Sequence, residues 1–211
     1  MLENKLGITS SAELAREEER ISKTKAAMMF ESDFSDTLEA GTLSALCEIH
    51  RFLFGDIYDL AGKPRTVNIS KGKFRFASVM YLDEALAAVE KMLQSSFDEI
   101  IEKYVEMNIV HPFREGNGRS MRIWLDLMLK AALGRVTDWN SVDKESYLAA
   151  IEHSPVSDRD IKAVIGAALT DRINDRDIFM KGIDNSYYYE GYALYSTARL
   201  SDELRNQQGT P

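Results

Sequence analysis

The stretch HPFREGNGRSMR, residues 111–122, decides how the middle of the chain folds. Pro112 disfavours an α conformation at His111, so the preceding helix must end there and a loop must begin. Beyond the loop, residues 119–133 are apolar on nearly every side, as expected of a helix buried in the middle of a bundle. The GNG segment, residues 116–118, therefore lies where a central helix starts.

The start of this helix is suited to binding anions. A helix N-terminus carries unpaired N–H groups and the positive end of the helix dipole, and glycine lets a phosphate come close to the backbone. Gly116, Asn117 and Gly118 are thus candidate phosphate ligands. Arg119 and Arg122, three residues apart, are neighbours on one helical face and form a candidate clamp for further phosphates.

Two more loop side chains suit nucleotide chemistry. Glu115 would repel a phosphate unless a cation lies between them, and a carboxylate with phosphate oxygens is a ligand set that Mg²⁺ favours. His111 is a candidate general base, because an unperturbed histidine titrates near neutral pH and can take a proton from a hydroxyl. The loop as a whole indicates nucleotide-dependent group transfer.

Each of these residues also has a plainer interpretation. A single loop histidine such as His111 more often satisfies a hydrogen bond, and GNG alone is commonly a turn. Arg119, Arg122, Asp126 and Lys130 could form one solvated stripe with an Arg122–Asp126 pair. These interpretations are independent of one another, and none accounts for all the residues together.

Composition limits the other functions that the chain could have. A length of 211 residues with 45% hydrophobic residues suits one domain with a real core. The formal charge of −8 disfavours direct, sequence-independent binding to nucleic acid. The single cysteine, Cys47, excludes a disulfide framework, and no long apolar run or leader-like segment is present. We therefore expect a soluble, cytoplasmic protein without membrane contact.

Helical patterns dominate the remaining sequence. Apolar residues recur at helical spacing in residues 12–31, 41–54, 82–93 and 96–110. The first of these helices, capped by Ser11, is predicted to be amphipathic and peripheral. Residues 67–78 instead alternate around a turn-forming glycine, which predicts a short β-hairpin that we call the flap, with Phe76 packed against the core.

Residues 111–122 resemble the signature of the Fic proteins, HPFx(D/E)GNGRxxR, at every position. The resemblance extends over about residues 41–191. It implies the mainly α Fic fold, a helical bundle around a central buried helix with a small β-hairpin flap. It also implies an adenylyltransferase that moves AMP from ATP to a Tyr, Thr or Ser hydroxyl of a protein. We expect a single Fic domain over residues 1–192 with an N-terminal helical extension. The tail, residues 193–211, is expected to form a short helix to about Leu204 and then fray.

The resemblance implies roles for most residues of the loop and for the arginines that follow it. His111 would deprotonate the target hydroxyl, Phe113 would pack beneath the loop, and Glu115 would bind a Mg²⁺ between the α- and β-phosphates. The residues implied to bind the nucleotide are Gly116, Asn117, Gly118, Arg119 and Arg122.

Within this set, Asn117 would add its side-chain amide to the phosphate site. Arg119 would contact the β-phosphate and Arg122 the γ-phosphate. Relatives of the Doc branch carry a lysine at the position of Gly118 and phosphorylate their targets. Glycine at this position therefore favours AMP transfer.

The flap of Fic proteins pairs its exposed edge with an extended segment of the target. The residues that would serve here are Ile69, Ser70, Lys71, Gly72, Lys73, Phe74, Arg75 and Phe76. For the charged residues Lys73 and Arg75, solvated hairpin charges are the alternative.

A second motif lies in SYYYEG, residues 186–191. Ser186 and Glu190 are four residues apart on one face of a helix predicted from about residue 175. They match (S/T)xxxE(G/N), the inhibitory motif of Fic proteins, at the C-terminal position called class III. The resemblance implies that Glu190 pairs with Arg122 and denies the γ-phosphate its anchor, while Ser186 hydrogen-bonds into the phosphate site or steadies the helix. A surface helix ending at Gly191 is the alternative.

Several functional alternatives stay open at this point. The candidate self-modification sites are Tyr187, Tyr188, Tyr189 and Tyr192, although clustered tyrosines at a helix end are more often packing or interface residues. The loop could transfer another nucleotide, Glu190 could support metal-dependent removal of AMP, or the chain could be a catalytically silent nucleotide-sensing module. From the resemblance, a type II topoisomerase subunit is the first hypothesis for the target. A homo-oligomer that buries the C-terminal helix is a further hypothesis.

Overall fold

The computed structural model describes residues 2–72 and 74–208, with side chains as far as Asn206 in the last helix. This part of the chain is mainly helical, as predicted. Its α-helices are α1 (Ser11–Phe30), α2 (Leu43–Phe54), α3 (Leu82–Glu90), α4 (Phe97–Val110), α5 (Asn117–Leu133), α6 (Lys144–His153), α7 (Arg159–Ala167), α8 (Arg176–Tyr189) and α9 (Thr197–Gln208). Short 3₁₀ turns lie at Asp33–Thr37, Val79–Tyr81 and Trp139–Ser141.

The strands form two short antiparallel pairs. In the flap, β1 (Ser70–Lys71) pairs with β2 (Phe74–Arg75), with Ser70 opposite Arg75 and Lys71 opposite Phe74. The second pair is formed by β3 (Val136–Thr137) and β4 (Leu169–Thr170), and β3 contacts α5. The flap hairpin is therefore shorter than the predicted residues 67–78.

Helix α5 is the buried centre that the sequence predicted. It packs against α2, α4 and α8, and the side chains of Trp124, Leu125 and Leu129 are fully buried. The indole Nε1 of Trp124 also donates to the carbonyl of Thr42 at 3.0 Å, which ties α5 to the start of α2. Truncating such an aromatic side chain to alanine costs about 3–5 kcal/mol.

Local sequence explains where the helices that hold the loop begin and end. The side chain of Ser96 accepts from the N–H of Glu99, and the Glu99 carboxylate accepts from the N–H of Ser96, so α4 starts with a capping box. Helix α5 ends at Gly134, whose φ of 61° is the left-handed conformation that terminates helices.

The prediction of a peripheral α1 is wrong. The helix is capped by Ser10 rather than Ser11, and it packs against α2, α8 and α9. Its inner face buries the charged side chains of Glu18, Glu19 and Lys23. Because its inner face carries charged residues, the sequence of α1 looks like that of a surface helix. The helical period alone does not show which charged side chains have buried partners.

Three further segments differ from or go beyond the predictions. Helix α3 ends at Glu90, three residues before the predicted end. Helices α6 and α7 lie in residues 134–174, for which the sequence analysis made no prediction. The tail forms α9, which reaches Gln208 rather than Leu204 and packs against α1 and α8. The predicted roles of Lys73 and of residues 209–211 lie outside the described residues.

Across residues 2–72 and 74–208, none of the helices combines the length and the apolar character needed to span a membrane.

Candidate active site

The loop between α4 and α5, residues 111–116, begins in a strained conformation. His111 has φ 52° and ψ 69°, the one positive φ at a non-glycine residue within the described ranges. Such a conformation costs of order 1–3 kcal/mol and persists only where neighbouring contacts impose it. The N–H of His111 donates to the carbonyl of Met107 at 2.9 Å, and Pro112 then directs the chain away from the helix.

The imidazole of His111 is held in one tautomer. Its Nδ1 lies 3.2 Å from the carbonyl oxygen of Asn108, which can only accept, so Nδ1 carries the proton and Nε2 is the free acceptor. The ring stacks on Phe76 with a centroid distance of 3.7 Å and an interplanar angle of 17°. Phe76 therefore packs on the histidine and not, as predicted, against the core.

Burial lowers the pKa of His111 to about 4, from an ordinary value of 6.5. The ring is therefore neutral at physiological pH. With Nδ1 protonated and Nε2 free, His111 has the form that a general base requires.

The interior of the loop is braced by Asn117 and His50. The Asn117 side chain accepts from the N–H of Phe113 at 2.8 Å and donates to its carbonyl at 2.7 Å. The amide is thus used inside the loop, and the prediction that it faces the phosphates is wrong. His50 accepts from the N–H of Gly62 at Nδ1 (2.9 Å) and donates from Nε2 to the carbonyl of Glu115 (2.8 Å). Phe113 is fully buried beneath the loop, as predicted.

The start of α5 offers open backbone donors. Gly116 precedes the helix with φ 74°, and a Cβ there would lie 2.5 Å from Cε2 of Phe54, so only glycine fits. Because Gly116 provides no side-chain cap, the N–H groups of the first turn are left for a ligand. Residues 116–118 are where the sequence predicts an anion site, and we refer to this position as the anion site.

Arg119 is buried among three carboxylates. Its Nη1 lies 2.6 Å from Glu18 Oε1, its Nη2 lies 2.8 Å from Glu115 Oε1, and its Nε lies 2.9 Å from Glu190 Oε2. The contact between Nε and Glu190 is an ion pair without good hydrogen-bond geometry. The side chain of Arg119 is therefore fixed by Glu18 and Glu115 whether or not Glu190 is present.

Arg122 is bound by the two residues of the SYYYEG motif. Its Nε donates to Ser186 Oγ at 2.6 Å, and its Nη2 donates to the carbonyl of Ser186 and to Glu190 Oε1, both at 2.8 Å. The alternative of an Arg122–Asp126 pair is wrong, because Asp126 accepts instead from the N–H of Thr137 and from Trp139 Nε1.

Glu190 lies over the anion site and joins both arginines. A methyl group on Gly118 would overlap Glu190 Oε1 and would lie 3.0 Å from Arg122 Nη1. Burial raises the pKa of Glu190, but the charges of Arg119 and Arg122 outweigh it and hold that pKa below 4.5. The carboxylate therefore stays ionised and occupies the space above the start of α5.

Comparison with known proteins shows which family this chain belongs to. The profile of the Fic/DOC family matches residues 40–129. The probable protein adenylyltransferase Fic of Escherichia coli (strain K12) is 31% identical over 137 residues, which are 58% of this chain and 68% of that protein. The chain belongs to the Fic/DOC family. This Fic protein is also 28% identical over 187 residues to the probable protein adenylyltransferase Fic of Salmonella typhimurium, covering 81% of the chain and 88% of that protein.

A longer relative and two solved structures extend the comparison. Protein adenylyltransferase VbhT of Bartonella schoenbuchensis is 29% identical over 194 residues, but the chain spans only 40% of its length. The BepC protein of Bartonella tribocorum, solved with bound AMPPNP, matches with a TM-score of 0.69 and 20% identity over 81% of this chain and 92% of that one. The N-terminal Fic domain of a Bartonella effector protein from Bartonella sp. AR 15-3 gives a TM-score of 0.71 at 22% identity, over 81% and 88%. The predicted family and Fic fold are confirmed, and the predicted enzyme class, nucleotidyltransferase, is that of the named relatives.

The loop between α4 and α5 carries one carboxylate that would be available to a metal. No cluster of three or more metal-binding side chains occurs among the described residues. Glu115 is the acidic residue of the loop, its side chain is 40% exposed, and its contacts to Gly116 N and Arg119 both use Oε1. A single exposed carboxylate fits Mg²⁺, which keeps several waters and takes other ligands from nucleotide phosphates.

The remaining predicted site residues differ in how exposed they are to solvent. In the flap, Ser70, Lys71, Gly72 and Arg75 are exposed, whereas Ile69, Phe74 and Phe76 are half-buried. Of the tyrosines, Tyr187 and Tyr189 are buried, Tyr192 is half-buried with its hydroxyl on Glu18, and Tyr188 is 50% exposed. Tyr187 and Tyr189 therefore act as packing residues in this state, the alternative given for them.

Helix α1 also contacts α8 and the residues that follow the SYYYEG motif, and these contacts were not predicted from the sequence. Lys23 Nζ lies 3.1 Å from Asp184 Oδ1 on α8, and Glu19 Oε1 accepts from the N–H of Leu194 at 2.9 Å. The Tyr192 hydroxyl donates to Glu18 Oε1 at 3.2 Å. One signal was present in the sequence, since Glu18 lies four residues after Leu14 and shares its buried face.

Proposed function

We propose that this Fic protein transfers AMP from ATP to a protein hydroxyl and that Glu190 holds it inactive, as in the class III type. The observation that carries the proposal is the position of Glu190. Its carboxylate lies on Arg122 and over the backbone donors of α5, where the terminal phosphates of a bound triphosphate are expected. A neutral histidine base stands at the other end of the same loop.

The chain's own residues account for the transfer step. The target hydroxyl attacks the α-phosphorus while its proton passes to Nε2 of His111. The new bond joins the hydroxyl oxygen to the α-phosphorus, and the bond from the α-phosphorus to the bridging oxygen breaks, so that pyrophosphate leaves. The N–H groups at the start of α5, with Arg119 and Arg122, stabilise the negative charge on the leaving group.

Glu115 would hold the magnesium ion, and Mg²⁺ when bound neutralises charge on the phosphate oxygens. The carboxylate's contacts to Arg119 and to Gly116 N fix its orientation towards the anion site. The side chain of Asn117 contributes by bracing the loop and not by direct contact with the nucleotide.

The proposed inhibition works by competition for the arginines. While Glu190 pairs with Arg122, a γ-phosphate would have to displace an ionised carboxylate from a buried guanidinium. Helix α8 is also anchored on α1 through Asp184, and the segment after it is anchored through Tyr192, so α8 does not leave the site without breaking these contacts. Both features favour an enzyme that is inactive until α8 moves.

The flap is the proposed dock for the target. Strands β1 and β2 are short, and Ser70, Lys71 and Arg75 are exposed, which leaves main-chain groups for an added strand. A type II topoisomerase subunit as the target, a cytoplasmic location and a homo-oligomer stay predictions.

The proposed activity is tested by measuring the mass of the intact protein. The Glu190→Gly variant is incubated separately with each nucleoside triphosphate and Mg²⁺, and its intact mass is measured. A mass increase equal to one AMP with ATP, and no increase with the other nucleoside triphosphates, supports the proposal. Gain of another nucleotide would indicate a different nucleotidyltransferase, and no gain with any nucleotide, either on the variant or on proteins of an added lysate, would indicate a silent module.

The state of His111 predicts the pH dependence of the transfer. A general base works only when unprotonated, so activity falls as the pH drops through its pKa, which burial lowers to about 4. The charge of Glu190 raises that pKa, so the Glu190→Gly variant should have a lower value still. We expect kcat/KM of this variant to stay within about twofold between about pH 5.5 and 8. A decline of about tenfold from pH 7 to 5.5 would mean that His111 titrates normally in the free enzyme.

Self-modification should occur first at Tyr188. Its side chain is exposed, whereas Tyr187 and Tyr189 are buried and the Tyr192 hydroxyl is bound to Glu18. We expect peptide mapping of the modified Glu190→Gly protein to find AMP on Tyr188 before any other tyrosine of this segment, and Tyr188→Phe to slow the mass gain. AMP found only outside residues 186–192 would contradict this prediction.

A further inference from the structure

Arg65 lies under the flap, outside the signature, and is buried with 3% of its surface exposed. Its guanidinium donates to four main-chain carbonyls. Nε reaches His111 O at 2.9 Å, Nη1 reaches Val67 O at 2.8 Å, and Nη2 reaches both Val110 O at 3.1 Å and Ala77 O. Within residues 2–72 and 74–208, no carboxylate forms a salt bridge with this guanidinium.

These four carbonyls belong to two parts of the site. Val110 and His111 are the last residue of α4 and its C-cap, where unpaired carbonyls and the negative end of the helix dipole favour a cation. Val67 and Ala77 stand on the two sides of the flap hairpin. Arg65 therefore joins both legs of the flap to the carbonyl of the histidine itself.

The main chain reinforces the same connection. The N–H of Arg65 donates to the carbonyl of Pro112 at 2.7 Å, and the N–H of Ala77 donates to the carbonyl of Ile109 at 3.1 Å. Phe76, next to Ala77, stacks on the His111 ring. The flap and the loop thus form one unit with the guanidinium at its centre.

We propose that Arg65 is a positioning residue that holds the flap and His111 in fixed register, so that a target strand on the flap presents its hydroxyl to Nε2. This inference rests on the proposed function, since it assigns Arg65 to the alignment of the target. Among the described residues, the hydrogen bonds of Arg65 go to the flap and to residues 110–112, and none goes to the first turn of α5 or to α8. Arg65 therefore governs the protein substrate and not ATP.

An arginine is required for this role because of its geometry. The planar guanidinium offers donors in three directions, whereas a lysine offers one nitrogen that cannot reach both flap legs and both helix carbonyls. Arg65→Lys therefore keeps the charge at the end of α4 but loses the connection to the flap. A misplacement of about 1 Å at a reacting centre can lower a rate about 10²-fold.

The test uses Arg65→Lys, with Arg65→Met as a second variant, each made alone and in the Glu190→Gly background. The first readout is NMR titration of His111, which is practical because the chain has 3 histidines. With the flap released, the ring should become exposed and its pKa should rise from about 4 towards 6.5. The second is amide hydrogen exchange, which should become faster at Ala77.

Two further measurements separate positioning from a general structural effect. Binding of a non-hydrolysable ATP analogue to the Glu190→Gly protein should change by less than about twofold on adding Arg65→Lys, while AMP transfer falls about 10²-fold. Arg114→Lys, an exposed arginine of the same loop, is the matched control and should leave all readouts unchanged.

The outcomes are distinct. An unchanged His111 titration together with unchanged exchange at Ala77 would overturn the proposal. Loss of analogue binding in parallel with a lowered melting temperature would also overturn it, because Arg65 would then be needed for folding alone. If Glu190→Gly with native Arg65 transfers no AMP, the proposed function fails, but the titration and exchange results still decide whether Arg65 couples the flap to the histidine.

Discussion

Replacing Glu190 with glycine should raise AMP transfer by about 10²-fold. Glu190 accepts a hydrogen bond from Arg122 and forms an ion pair with Arg119, and a hydrogen bond between charged groups contributes about 1.5–3 kcal/mol. A net competition of about 3 kcal/mol corresponds to roughly 10²-fold in the fraction of sites open to a productive triphosphate. Incorporation of AMP from ATP labelled at the α-phosphate, into the protein itself and into proteins of a lysate, measures the effect.

Matched variants show whether the carboxylate is responsible. Glu190→Gln keeps the size and one acceptor but loses the charge, so it should fall between wild type and Glu190→Gly. Glu203→Gly, at an exposed position of α9, controls for placing a glycine in the C-terminal region and should behave as wild type. Equal incorporation by wild type and Glu190→Gly would refute the inhibition.

Removing the imidazole of His111 should lower the transfer by about 10³-fold. A positioned general base contributes about 10²–10⁴-fold, and the neutral ring with Nε2 free is in the form that this role needs. The effect is measured as His111→Ala in the Glu190→Gly background, where the starting rate is high. Binding of a non-hydrolysable ATP analogue should persist, because the proposed role of His111 is to accept a proton from the target hydroxyl.

His153→Ala is the appropriate control for this variant. His153 lies at the surface, with Nδ1 3.2 Å from Asp160, and far in sequence from the loop. Its loss should leave the transfer unchanged. A His111→Ala protein that keeps more than about a tenth of the activity would show that the base is another group or is not needed.

The parts of this site that could be predicted are those encoded in one short stretch. Pro112 ends α4, Gly116 allows the left-handed turn, and the apolar run after it makes α5 the centre of the bundle. These effects act between neighbours in sequence, so pattern and resemblance suffice for them. The Glu190–Arg122 pair was also found, although 68 residues apart, because each partner belongs to a recognisable motif.

The contacts that could not be predicted join distant segments without a motif. Glu18 reaches Arg119 over 101 residues, and Arg65 reaches His111 over 46. A buried charge in a sequence looks the same as a solvated one until its partner is known, which is why α1 was expected at the surface. Asn117 is a similar case. The resemblance identifies it as a residue of the site, but the sequence does not show that its side-chain amide hydrogen-bonds to the main chain of Phe113.

The central claim is that Glu190 occupies the place of the terminal phosphate, and crystal structures with a non-hydrolysable ATP analogue and Mg²⁺ test it most directly. In Glu190→Gly, we expect the terminal phosphate within hydrogen-bond distance of Arg122 and the α-phosphate facing Nε2 of His111. In the wild type, we expect Glu190 to remain on Arg122 and the phosphates to be displaced. The same phosphate positions in both proteins would contradict the account.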